Sequence, residues 1–275
     1  MSRIRPFIGT ELIKVMTGIR RCGKSVMLEL IKQELTESGV SPAQFISINF
    51  EDMSYSHLQI AQALHDEITA RAAGIEGKVY LFFDEIQRYK EIVTRIKFLV
   101  EDQRYRYILS GSLLGVEIVN LKSAPVGYLK TLQMYPLDFE EFLQLFQISD
   151  AVFEALRGAY QNETPVDPII HKKMLQLFHL YLIIGGMPAA VDTYRRTENI
   201  DMVMDQHLAI LQQYKLDFTQ YETENKKLLL TSIYELIPAE LNEQNKRFKL
   251  ADIDKKLRFE KMSDSFTWQI GRAHV

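Results

Sequence analysis

The sequence predicts an α/β fold: a parallel sheet with helices on both faces, followed by a helical lid and a partial winged-helix-like segment. Three observations carry this. Short apolar runs alternate with longer helical patterns through the first half, as the βα units of a parallel sheet do. A glycine-bracketed loop joins the first apolar run to the first helical one. After Pro136 the strand-like runs stop and helical periodicity takes over.

Taken in order, strands are expected at 12–17, 44–49, 79–84, 105–110 and 129–135. Helices are expected at 25–37, at 57–73 on the spacing of Ile60, Leu64 and Ile68, and at 92–102. Gly39 with Pro42, and Gly74 with Gly77, mark loops. Asp138 caps a helical run holding Phe139, Phe142, Leu143 and Phe146, with Glu140 and Glu141 in its favourable first turn. Residues 162–168, with two prolines and no apolar period, read as a linker. Helical stretches follow at 169–184, 188–196, 202–218 and 225–236. The expected domains are a core over 1–150, a lid over 151–220 and a partial winged-helix-like segment over 221–268.

Bulk properties exclude several classes. With 275 residues, 47% hydrophobic and 25% charged, the chain has ordinary globular composition. A net charge of -3 gives no global basic field for nucleic acid or a membrane surface. A single cysteine, Cys22, allows no internal disulfide and fits a reducing cytosol. The N-terminus lacks the apolar core of a signal peptide, and the apolar stretch 177–191 is broken by Gly185, Gly186 and Pro188. A cytoplasmic protein with no membrane partner is expected. The last six residues, Ile270 to Val275, decode to ATC GGA AGA GCA CAC GTC, the start of a widely used short-read sequencing adapter. Residues 269–275 are therefore expected to be adapter-derived, with the natural chain interrupted near Trp268.

The chemistry sits in the first half. Gly18-Ile19-Arg20-Arg21-Cys22-Gly23-Lys24-Ser25 satisfies the G-x-x-x-x-G-K-[ST] phosphate-loop pattern in full. Its glycines let backbone N–H groups close around a phosphate, and the helix that follows adds the positive end of its dipole. Lys24 is expected between the β- and γ-phosphates, and Ser25 on Mg²⁺. The apolar run Val79 to Phe83 ends in Asp84 and Glu85. There Asp84 is expected to hold Mg²⁺ through water, and Glu85 to act as base toward the attacking water. The adjacent acids separate a hydrolase from kinases that carry a lone Asp. A further strand ends in Ser110 and Ser112, both candidate γ-phosphate sensors.

These motifs, with Phe83-Asp84-Glu85-Ile86-Gln87-Arg88, Leu109-Ser110-Gly111-Ser112 and Tyr135-Pro136-Leu137-Asp138-Phe139-Glu140-Glu141-Phe142, together resemble one family. It is the large prokaryotic AAA-type P-loop ATPase group whose members pair the ATPase with a nuclease-like C-terminal domain of unknown function. The resemblance runs nearly to Trp268. It implies a P-loop NTPase sheet in which the Ser110 strand lies between the phosphate-loop and Asp84 strands, and it implies ATP as the nucleotide. Gly185-Gly186-Met187-Pro188 resembles the glycine-x-proline element that related ATPases set against the nucleotide, which makes Met187 and Pro188 candidate contacts. Equally, it reads as a plain helix corner, with Pro188 suited to a first turn.

Two departures from the family qualify the expected activity. The chain has Gly127-Tyr128 where relatives often carry Gly-Arg, and no arginine occurs between Arg106 and Arg157. Without an obvious arginine finger, hydrolysis is expected to be slow; Lys122 and Lys130 lack the planar fork, and Arg195 and Arg196 read better as a solvated helix end. The second departure is the C-terminal domain that the interruption removes. The rival expectation is a nucleotide-gated switch, holding ATP or ADP and controlling a protein or DNA partner through the C-terminal region. The basic residues Lys246, Arg247, Lys249, Lys255, Lys256 and Arg258 admit DNA there, although Asp252, Asp254 and Glu260 dilute them. Cys22, near a helix N-terminus, sits where thiolate is favoured, though a tolerated variable position accounts for it more simply. The sequence leaves the oligomeric state open.

Overall fold

The computed structural model describes residues 3–88, 103–111, 129–219 and 224–242. The expected helix at 92–102, Ser112, Lys122, Gly127-Tyr128, the basic segment 246–258 and the tail lie outside them. Described residues up to Tyr135 form one compact unit, and those from Pro136 form another.

The first unit is a five-stranded parallel sheet of β1 (Ile13–Thr17), β2 (Phe45–Asn49), β3 (Val79–Asp84), β4 (Tyr105–Gly111) and β5 (Leu129–Gln133). The strand order is β2-β3-β4-β1-β5, so β4 lies between β1 and β3 as expected. Register pairs Val15 with both Leu109 and Thr131, Phe83 with Leu109, and Asn49 with Asp84. Central strands are covered on both faces, so every residue of β1 and β4 is buried, the charged Lys14 and Arg106 included. The edge strand β2 alternates instead, with Ile46 and Ile48 buried and Ser47 and Asn49 exposed.

Among the described residues, two helices cover the faces. In α1 (Lys24–Glu37), Leu28, Ile31 and Leu35 fall on one stripe and join Met16, Tyr80, Phe82 and Ile108 in a core cluster. In α2 (Ala61–Ala72), Leu64, Ile68 and Ala72 join Val15, Ile48, Leu81, Phe83 and Leu109 in another. The alternation of Tyr80 and Phe82 against Leu81 and Phe83 is the strand period expressed as two cores. The expected helix at 57–73 starts later than its spacing suggested. Ile60 is the extended N-cap residue and is 58% exposed, while residues before it form a separate 3-10 segment, Met53–Gln59. An apolar residue at the right interval had extended the pattern past the true helix start.

The described helices of the second unit are α3 (Phe139–Leu145), α4 (Asp150–Gln161), α5 (Pro168–Ile184), α6 (Pro188–Thr197), α7 (Ile200–Thr219) and α8 (Glu224–Asn242). Asp138 caps α3 through a capping box: its carboxylate accepts from Glu141 N at 2.8 Å, and its own N–H donates to Glu141 Oε2 at 3.1 Å. Phe142, Ile184, Ala190, Val191 and Val203 form the main core of this unit. Helix α4, not anticipated, contributes Phe153 to a smaller cluster with Leu143 and Leu177. Among the described residues no single helix is long and apolar enough to cross a membrane, and the α5–α6 pair is bent by 119°.

Candidate nucleotide site

In parallel α/β sheets the loops at the carboxyl ends of the strands converge on the ligand. Here the strand order makes the ends of β1, β4 and β3 neighbours, so Gly18–Ser25, Ser110 and Asp84–Glu85 belong to one rim. The loop itself is built on the end of β5. Thr17 O accepts from Met134 N at 2.8 Å, and Met134 O lies over Gly18. A Cβ on Gly18 would sit 2.3 Å from that oxygen, and its φ of +145° disfavours any side chain. Glycine is thus required twice over, by close approach and by conformation.

Lys24 opens α1 and is buried; its Nζ donates to the carbonyls of Gly18 at 3.2 Å and Ile19 at 2.9 Å. The ammonium is therefore held at the loop that the phosphate motif defines. The Arg20 guanidinium pairs with Glu51 at 2.9 Å, tying the loop to the segment after β2, where Asn49 Oδ1 accepts from Glu51 N. Arg21 is exposed, with φ +64°. Cys22 is 4% exposed, and its Sγ lies 3.8 Å from Met134 O, to which it donates. Burial pushes its thiol up from the usual range, against the opposing pull of Lys24. Loss of hydration outweighs the helix terminus, so this is not an activated thiolate.

Across the rim, Asp84 ends β3. Ser110 Oγ donates to Asp84 Oδ1, which also accepts from Glu85 N at 3.1 Å. Glu85 adopts φ +53°, uncommon for a residue with a side chain and worth about 1 kcal/mol of strain or more. Gln87 Nε2 donates to Glu85 Oε2. Ser25 and Asp84 line the same open cleft of ≈ 360 Å³, together with Asn49, Lys32 and Phe82. A hydroxyl and a carboxylate facing one cleft are hard oxygen donors of the kind that suit Mg²⁺. Among the described residues no group of three or more His, Cys, Asp or Glu could hold a metal unaided.

Met187 and Pro188 lie in the second unit, as the N-cap and first residue of α6. Their glycine has a structural reason: Leu137 N donates to Gly186 O at 2.8 Å, and a Cβ on Gly186 would meet Leu137 O at 2.0 Å. Arg195 and Arg196 both pair with Asp192 at the exposed end of α6. Sequence reading missed Met134, Glu51 and Gln87. Only Gln87 lay inside a recognised motif, and no spacing rule reveals which carboxylate an amide will meet.

Residues 10–143 match the family model described as AAA domain, and residues 175–268 match one described as a domain of unknown function, DUF8612. An uncharacterized protein of Haemophilus influenzae is 30% identical over 149 residues, 52% of this chain and 36% of that one. The chain thus spans little more than a third of that relative's length. Solved structures of similar shape include the Thermotoga maritima RuvB Holliday junction branch migration motor, at 14% identity and TM-score 0.41, covering 86% of this chain and 72% of that one. Another is AMPPCP-bound DnaA from Aquifex aeolicus, at 11% identity and TM-score 0.41, covering 98% and 84%. A third is the Aeropyrum pernix ORC1 protein in complex with DNA, at 12% identity and TM-score 0.41, covering 93% and 78%.

Proposed function

We propose that this chain, whose residues 10–143 are an AAA-type P-loop ATPase domain, binds ATP and hydrolyses it slowly in a Mg²⁺-dependent reaction in the cytoplasm. The observation that supports this best is the shared cleft wall of Ser25 and Asp84, with Glu85 beside them on the same rim. In this reading Lys24 and the backbone of Gly18 to Gly23 bind the β- and γ-phosphates. Ser25 and, through water, Asp84 hold Mg²⁺, which when bound neutralises charge on the phosphate oxygens. Ser110 fixes the Asp84 carboxylate and senses the γ-phosphate; Ser112 is its alternative.

Glu85 accepts a proton from water as the water oxygen bonds to the γ-phosphorus in line with the leaving group. The bond from that phosphorus to the β–γ bridging oxygen breaks, its electron pair leaves with ADP, and inorganic phosphate is released. Met187 and Pro188 complete the nucleotide contacts in this proposal, and the partner of the C-terminal region is a protein or DNA. Salt-dependent DNA binding would select DNA.

The test is single-turnover ATP hydrolysis with Mg²⁺ by the wild type and Glu85→Gln. Loss of hydrolysis in the variant with ATP binding retained supports the ATPase reading. The second reading, a nucleotide-gated switch, is favoured by the absence of any arginine between Arg106 and Arg157. Tight ATP binding with no measurable turnover in either protein would replace the ATPase with the switch.

A further inference from the structure

Glu85 is held at three points. Its amide donates to Asp84 Oδ1, its backbone sits in the left-handed region, and its side chain accepts from Gln87 Nε2. The donor is itself anchored. Gln87 is buried in the 3-10 turn Ile86–Arg88, and the preceding Ile86 is fully buried in the core cluster that holds Phe83 and Leu109. The amide is therefore delivered from the sheet's own core. It engages Oε2 and leaves Glu85 Oε1 without a hydrogen bond to any described residue.

A carboxylate at the end of a flexible side chain samples several rotamers, and a misplaced base loses rate steeply. A neutral amide can fix such a group without the full charge of a lysine or arginine, which would bind the carboxylate more strongly and oppose its protonation. We propose that Gln87 is a positioning residue for hydrolysis: it clamps Oε2 of Glu85 so that Oε1 faces the attacking water. This rests on the reading of Glu85 as the base. It adds a residue that no phosphate-loop or acidic-pair motif specifies.

The variant is Gln87→Met, which keeps length and volume while removing the donor. Clamping predicts a fall in kcat of about 10- to 100-fold with KM, ATP affinity and melting temperature unchanged. In a Glu85→Gln background, Gln87→Met should lower the residual rate little further, since no carboxylate remains to be aimed. A readout without turnover is the Gln87 side-chain amide resonance in ¹H–¹⁵N spectra, identified by its loss in Gln87→Met. It should shift in Glu85→Gln, when the charged acceptor becomes neutral. An unchanged kcat, a faster kcat, or a loss shared equally with ATP affinity and melting temperature would each overturn the clamp while leaving Glu85 as the base. A wild type that binds ATP without hydrolysing it would overturn the base reading, and the clamp with it.

Discussion

Lys14 lies fully buried in β1, its Nζ donating to Thr10 O at 2.7 Å, on the same sheet face as the buried Arg106 of β4. Burial, and next the charge of Arg106, lower its pKa from 10.5 to about 7. The unfolded chain therefore binds more protons than the folded one between about pH 7 and 10.5, and stability should rise with pH across that window. The slope is at most about 1.4 kcal/mol per pH unit. Denaturant unfolding of Lys14→Met should show a flatter profile over this range and a gain of roughly 1–3 kcal/mol at pH 6. A second outcome at this scale concerns Gly18, where Ala meets both Met134 O and an unsuitable φ. Gly18→Ala should cost about 1–3 kcal/mol and abolish measurable ATP binding by titration calorimetry, because the loop must move to admit the methyl group. The phosphate pattern already named Gly18, but its steric partner, Met134, follows β5 more than a hundred residues along the chain, and no local pattern reports that.

Elements were legible where one period decided them. Strand β3 matches its expected bounds because an unbroken apolar run ends at a charged pair; α1 starts within one residue of its expected start, and α3 starts at the expected cap, Asp138, with Phe146 at its C-cap. Helix α2 misled because Ile60 obeys the helical interval while lying outside the helix. Helix α4 went unanticipated although Val152, Phe153, Leu156 and Tyr160 recur at helical spacing and form a clear apolar stripe. At α3, Asp138→Ala removes the side-chain acceptor of the capping box, leaving only the bond from the backbone N–H of residue 138 to Glu141, and should cost about 1 kcal/mol, read as a lowered midpoint in urea. Asp138→Asn keeps a side-chain acceptor and should recover most of that loss.

At the scale of the whole molecule, the core clusters divide as the compact units do. Two clusters contain only residues up to Met134, and two contain only residues from Leu137 onward. A fragment of residues 1–135 carries its own cores and all of Gly18–Ser25, Asp84, Glu85 and Ser110. It should unfold in one cooperative transition by circular dichroism and bind ATP, with affinity within about tenfold of the full chain. A fragment that stays unfolded would show that the second unit supplies stability to the first. The sequence by itself determined the α/β class, the phosphate loop, the acidic pair and most element bounds, because each is a local rule of spacing or chemistry. Tertiary structure alone decided that Met134 underlies Gly18, that Cys22 is buried and Lys14 desolvated, and that Gln87 meets Glu85. Those facts depend on which strand ends become neighbours and how water is excluded between them, and chain spacing encodes neither.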